Sequence, residues 1–229
     1  IGGSGRMSGG RYSGIAPGCN LIMVKVLDRK GNGYSSDVLA GISWVLERKE
    51  QLGIRILNIS VGACSKRGMS ENSALVKGVN RAWDAGLVVV VAAGNNGPRT
   101  MSITTPGISR KVITVGCSDD DREVLVGGNR MVDYSGRGPT AACICKPDLV
   151  APGCSVVSCS SRADKYTIKS GTSMSTPIVS GAVALLLERF PAMSNKDVKL
   201  RLRESSVDIG LPRNQQGWGL LDVGKMLER

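Results

Sequence analysis

Residues 86–97 read GLVVVVAAGNNG, and this run constrains the chain around it more than any other stretch. Its apolar residues do not alternate with polar ones, so a strand built from them has two apolar faces and must be covered on both. Residues 54–62, IRILNISVG, read as a second such strand that ends at Ser60, Val61 and Gly62. Strand patterns near 20–27, 54–61, 87–93, 111–117 and 147–150 alternate with helical spacing near 36–49, 71–85, 173–190 and 195–204. That alternation predicts an α/β fold with a mainly parallel sheet between helices. Ligands of such sheets bind beyond the carboxyl ends of the strands, so Gly62 and Asn95, which end two of them, belong to one edge. Ser35 or Ser36 is suited to cap the first helix and Gly86 to terminate the second, while Ser194 and Asp197 form a capping-box pattern. A hairpin-like pair is expected from 124–134 and 156–168. At 229 residues and 41% hydrophobic, the chain can bury a core and reads as one domain.

The second constraint is chemical. Residues 171–177 read GTSMSTP in a chain with no histidine. Ser173 follows a small, flexible pair and precedes the buried-helix spacing of Val179, Val183, Leu186 and Leu187, so it falls near a helix N-terminus. Unpaired N–H groups and the positive end of the helix dipole gather there and favour a developing oxyanion. Pro177 is expected in the first turn, where a missing N–H costs little. Taken alone, such a serine is more often only a cap.

The neighbouring motifs change that balance. GTSM at the nucleophile, AAGN ending at Asn95, the strand through Ser60 to Gly62, SGRGPT at 135–140 and KPDLVAPG at 146–153 together resemble the subtilisin-like serine proteases, the subtilases. The resemblance runs from about Gly14 to the C-terminus, with the motifs in the family's order. It implies a three-layer subtilisin-like fold lacking its N-terminal part, residues 1–229 being the C-terminal portion of a peptidase domain. It implies Ser173 as nucleophile and Asn95 as the side-chain donor of the oxyanion hole. Ser60, Val61 and Gly62 match the strand that pairs with one side of the substrate backbone, and Gly31, Asn32 and Gly33 the strand on its other side. Ala93, Gly94, Pro106 and Gly107 match walls of the primary specificity pocket, with Asn96 at its rim. These walls carry no charge, which points to a neutral, apolar residue before the scissile bond. Where many relatives have SPH, this chain has Thr176, Pro177 and Ile178. The resemblance places the catalytic aspartate and histidine upstream of Ile1, before a segment like GIAPGCNLIMVKVLD at 14–28. The chain alone is therefore expected to be inactive. The rival reading is a noncatalytic peptide-binding scaffold or inert fragment; a serine–lysine pair using Lys169 has no supporting motif.

Charge and cysteine content bound the partners. The net charge of +11 is spread along the chain without interleaved aromatics or a nucleic-acid motif, which argues against nucleic acid as a partner. Lys199, Arg201 and Arg203 read as a solvated helix face. No apolar run reaches the length of a membrane span, and the Gly-rich opening lacks a phosphate-binding pattern. A peptide or protein substrate remains. The seven cysteines show no metal-ligand spacing. They are expected to be reduced, mostly buried apolar residues in a cytoplasmic protein. The wording of TTPG at 104–107 and of residues 171–188, similar to the intracellular bacterial subtilases, agrees with that compartment. No cofactor is required for this chemistry, and structural calcium is left without assigned ligands.

Overall fold

A computed structural model describes residues 1–63, 71–161 and 166–228. Four parallel strands form the central sheet in the order β1-β2-β3-β6: β1 (Ile56–Ile59), β2 (Val88–Ala92), β3 (Ile113–Cys117) and β6 (Leu149–Ala151). Val90 registers with Asn58 on one side and with Ile113 on the other. β2 and β3 are buried at every residue: β2 as a continuous apolar strand must be, and β3 with its one polar side chain, Thr114, bonded to the Gly107 carbonyl. Helix α3 (Thr172–Arg189) packs against all four strands, α2 (Ala74–Asp84) packs against β2, and α1 (Ser35–Arg48) packs on α2. One large apolar cluster joins Val88 to Val91, Ile113, Val115, Val179, Val183, Leu186 and the Val79, Ala82 and Trp83 side of α2.

The helix ends follow local chemistry. Ser194 and Asp197 cap α4 (Asn195–Ser205) reciprocally, and Gly86 leaves α2 at a left-handed φ of 91°. At α1 neither Ser35 nor Ser36 is the cap. Tyr34 holds that position, and the Asp37 carboxylate accepts its N–H at 3.1 Å. Pro177 lies in the second turn of α3, not the first, so the Ser173 carbonyl receives no N–H from the residue four ahead.

Three further expectations are corrected. The 20–27 segment is not a strand: it runs without a ladder, and Leu21, Ile22 and Met23 are exposed. β1 is hydrogen-bonded to β2 alone, so no described strand lies beside this segment to pair with it. Residues 124–134 and 156–168 do not pair with each other. They form two separate antiparallel hairpins, β4 (Val124–Val126) with β5 (Asn129–Met131) and β7 (Val156–Cys159) with β8 (Tyr166–Lys169). Lys199 and Arg201 are not merely a solvated face. Lys199 donates to the carbonyls of Arg110, Lys111 and Val112, and Arg201 to that of Met226.

Candidate active site

The strand ends bring distant residues together. Ser173 occupies the first turn of α3, and its Oγ–H donates to the Ser60 carbonyl at 2.8 Å, just beyond the end of β1. Asn95 lies beyond the end of β2. Its Oδ1 accepts both the backbone N–H of Thr172 at 3.0 Å and the Thr172 hydroxyl at 3.1 Å. That hydroxyl in turn accepts the Gly94 N–H at 3.1 Å, so the strand end and the helix start are stitched through one buried threonine. With Oδ1 engaged, the Asn95 amide has its Nδ2–H2 donor left to offer. Gly171, at φ 140°, precedes the helix, and a Cβ there would approach Asn95 Nδ2 at 3.2 Å. Only glycine adopts that backbone region without strain. The first turn of a helix leaves N–H groups without intrahelical partners, and Ser173 is within it.

Beside these groups runs a groove of about 470 Å³. Gly31, Asn32 and Gly33 line it on one part and Ser60, Val61 and Gly62 on another, with Pro106. Both backbone segments expected to pair with an extended ligand therefore face one opening. The Asp28 carboxylate shapes the first, accepting the N–H groups of Lys30 and Asn32 at 2.8 Å each. Thr104 shapes the other: a Cβ on Gly62 or Gly94 would collide with it. Ala93, Gly94 and Gly107 do not line this groove. Ala93 is buried with its N–H bonded to Val115 and its carbonyl to Thr104, and Gly107 packs under Ala92 and Thr104.

Sequence reasoning missed Thr172, Tyr34 and Leu75. The last two line the groove, and Thr172 carries three of the hydrogen bonds that fix Asn95 and Gly94. The only advance signal for Thr172 was its place next to Ser173.

Titratable groups at the two ends of β3 are strongly perturbed. Lys146 is fully buried, and its ammonium donates to Val112 O, Thr114 Oγ1 and the Asp148 carboxylate. Burial pushes its pKa down to about 8, against the pull of Asp148. Burial pushes the Cys117 thiol and the Tyr134 hydroxyl up. Of six described cysteines all are free, and only Cys117 is buried. The expectation of mostly buried thiols fails because Cys143, Cys145 and Cys159 fall in loops and an edge hairpin. Cys64 lies outside the described residues. Calcium takes six to eight oxygen ligands. Among the described residues the one group of three ligating side chains is Cys117, Asp119 and Cys154, whose two sulfurs do not fit that ion.

Comparison with known proteins agrees with this geometry. The chain is 39% identical over 220 residues to the serine protease AprX of Bacillus subtilis (strain 168), a match covering 89% of the chain and 50% of AprX. It is 34% identical over 212 residues to subtilisin DY of Bacillus licheniformis, covering 92% of the chain and 69% of that protein. The chain thus spans half to two thirds of the lengths of these relatives. Among solved structures, Sphericase superposes with a TM-score of 0.72 at 31% identity, covering 87% of this chain and 67% of its own. The sheet, the strand-end site and the match of residues 1–219 to the Subtilase family lead to one assignment: the chain belongs to the subtilase family of serine proteases.

Proposed function

We propose that the whole protein to which this chain belongs is a serine endopeptidase that cleaves peptide bonds through an acyl-enzyme on Ser173. The observation that carries this reading is the Ser173 hydroxyl, held at the open first turn of α3 beside a Thr172-locked Asn95. The 229 residues contain no histidine, so in this reading the general base comes from residues outside them, and the aspartate that orients it is placed there with it. That histidine takes the Ser173 proton as Oγ attacks the substrate carbonyl, and the aspartate holds its tautomer. Asn95 Nδ2 and the Ser173 N–H receive the oxyanion. Extended substrate adds as a strand between Gly31–Gly33 and Ser60–Gly62, so backbone bonds supply affinity. Of the expected pocket walls only Pro106 lines the groove, and because Ala93, Gly94, Pro106 and Gly107 carry no charge the reading keeps a neutral, apolar residue before the scissile bond. The hydrolysis needs no cofactor. The six free thiols support a cytoplasmic site of action.

A fluorophosphonate probe tests this reading. The whole protein should label stoichiometrically at Ser173 and lose labelling on Ser173→Ala. The 229-residue chain alone should not label, because without a base the hydroxyl keeps its ordinary reactivity. Absence of labelling in the folded whole protein would leave the second reading, a noncatalytic peptide-binding scaffold, which the missing histidine favours.

A further inference from the structure

Behind the start of α3, at the carboxyl end of the sheet, two cysteines, an aspartate and a tyrosine converge. Cys117 ends β3, Asp119 follows two residues later, Tyr134 comes from the segment after β5, and Cys154 from the loop after β6. The Cys117 Sγ lies 3.1 Å from Asp119 Oδ1 and 3.1 Å from the Tyr134 hydroxyl, which lies 3.2 Å from the Cys154 Sγ. One ligand atom from each of Cys117, Asp119 and Cys154 lies within 4.8 Å of the others. The carboxylate is already aimed, since its Oδ1 accepts the N–H groups of Gly153 at 2.7 Å and Cys154 at 3.1 Å. Ser175 Oγ, fully buried, lacks a hydrogen-bond partner among the described residues. It crowds the same side of Gly153 as Cys117: a Cβ there would meet the hydroxyl at 2.3 Å and the sulfur at 2.8 Å.

Thiols are weak hydrogen-bond donors, so the Cys117 S–H draws little on a carboxylate that two backbone N–H groups already hold in place. We propose that Cys117, Cys154 and Asp119 bind a thiophilic divalent cation of the Zn²⁺ type, with the Tyr134 hydroxyl orienting both sulfurs. Bonds of about 2.3 Å to sulfur and about 2.0–2.2 Å to oxygen require the three ligand atoms to draw together around one centre, a modest closure from their present spacing. Each thiol gives its proton to solvent as its sulfur binds, so two protons leave per ion and no electron moves. Two thiolates and a carboxylate select Zn²⁺ or Cd²⁺ over Ca²⁺ or Mg²⁺. Cys154 is half-buried, which gives the ion an entry side and room for water as the fourth ligand. The site braces and does not catalyse. Gly153, bonded to Asp119 through its N–H, accepts the Gly171 N–H at 2.9 Å through its carbonyl. The ion therefore stiffens the loop that holds the residue before the nucleophile's helix. Linear spacing hides the site because its ligands come from two strand ends.

The test uses the whole protein, reduced and stripped by a chelator, with Co²⁺ as a spectroscopic substitute for Zn²⁺. The expected result is one Co²⁺ per chain with thiolate-to-metal charge-transfer absorption, displacement by Zn²⁺ and release of two protons per ion. A variant with the other five cysteines changed to serine should retain this binding. Cys154→Ser and Asp119→Asn should weaken it more than about tenfold, and Tyr134→Phe by about tenfold or more, the usual effect of losing an outer-shell partner. Circular dichroism confirms that each variant folds, and Cys154→Ser, at a half-buried position, keeps the test open if Cys117→Ser does not. Absence of charge transfer, loss of binding in the five-serine variant, or a Cys117–Cys154 disulfide that forms despite bound metal would each overturn the proposal. None of these readouts depends on peptidase activity.

Discussion

Asn95 is anchored at the oxygen end of its amide. Oδ1 is fixed by Thr172, which orients Nδ2 without any contribution from substrate. A donor that is oriented beforehand stabilises charge that develops in the transition state more than it does the ground-state carbonyl. In the whole protein, Asn95→Ala should therefore lower kcat and leave KM nearly unchanged. The expected loss is ~10²–10³-fold, a scale known for removal of such a donor in a subtilisin and borrowed from there. If Asn95 only closes a strand-end turn, thermal stability falls instead and kcat of the folded enzyme stays constant. Active-site titration with steady-state kinetics separates the outcomes. Thr172→Val removes the hydroxyl and both its bonds, to Asn95 Oδ1 and from the Gly94 N–H, but keeps the shape and the backbone N–H bond to Asn95. Because only one of the two lost bonds orients the amide, kcat should fall by about tenfold, on the order of one neutral hydrogen bond. At this scale the placement of Ser173, Asn95 and Ser60 to Gly62 at one edge of the sheet was legible, because each closes a local motif. Thr172 was not, since its bonds reach residues 77 and 78 positions away and leave no local pattern.

Elements were legible where a residue's preference and its neighbours agree. The all-apolar β2, the fully buried β3 and the four longer helices fall close to their expected bounds. The 20–27 segment has strand composition, yet a strand also needs a ladder, and no described partner supplies one. The hairpins were misjoined for a related reason: alternation marks a strand but does not name its partner. Gly171 shows how one backbone position joins two elements. Its φ of 140° and ψ of 163° lie where essentially only glycine is found, and its N–H bonds to Gly153 while α3 starts at the next residue. Gly171→Ala should cost about 1–3 kcal/mol of stability through backbone strain. Its Cβ would press on Asn95 Nδ2, so reaction with the fluorophosphonate probe in the whole protein should slow even below the melting temperature. Thermal unfolding and labelling rate, measured on the same sample, check both parts; an unchanged melting temperature would show that the turn relaxes.

Across the whole molecule, the net charge of +11 is not only a surface property, because one ammonium is buried beside the start of β3. Lys146 meets Asp148 and the Val112 carbonyl, and Lys199 from α4 reaches the same carbonyl at 3.0 Å and the other Asp148 oxygen at 3.4 Å. Asp148 also accepts the Thr114 N–H, so this group ties α4 and the lead into β6 to β3. Composition counted these lysines without locating them. Burial holds Lys146 at about 8, below its ordinary 10.5, so between those values the unfolded chain binds more protons at this residue than the folded one. Stability contributed by Lys146 must then rise with pH through that window, being lowest where the ammonium is charged in both states. Other groups titrate there too, so the prediction concerns a difference. Lys146→Met keeps the side chain's length, leaves Asp148 paired with Lys199 and Thr114, and removes the titration. The stability of the original chain relative to Lys146→Met should increase from pH 7 to pH 10.5, read from denaturant midpoints at matched ionic strength. A gap that stays constant or narrows would mean that the Asp148 attraction outweighs desolvation, and that the buried pair remains charged throughout.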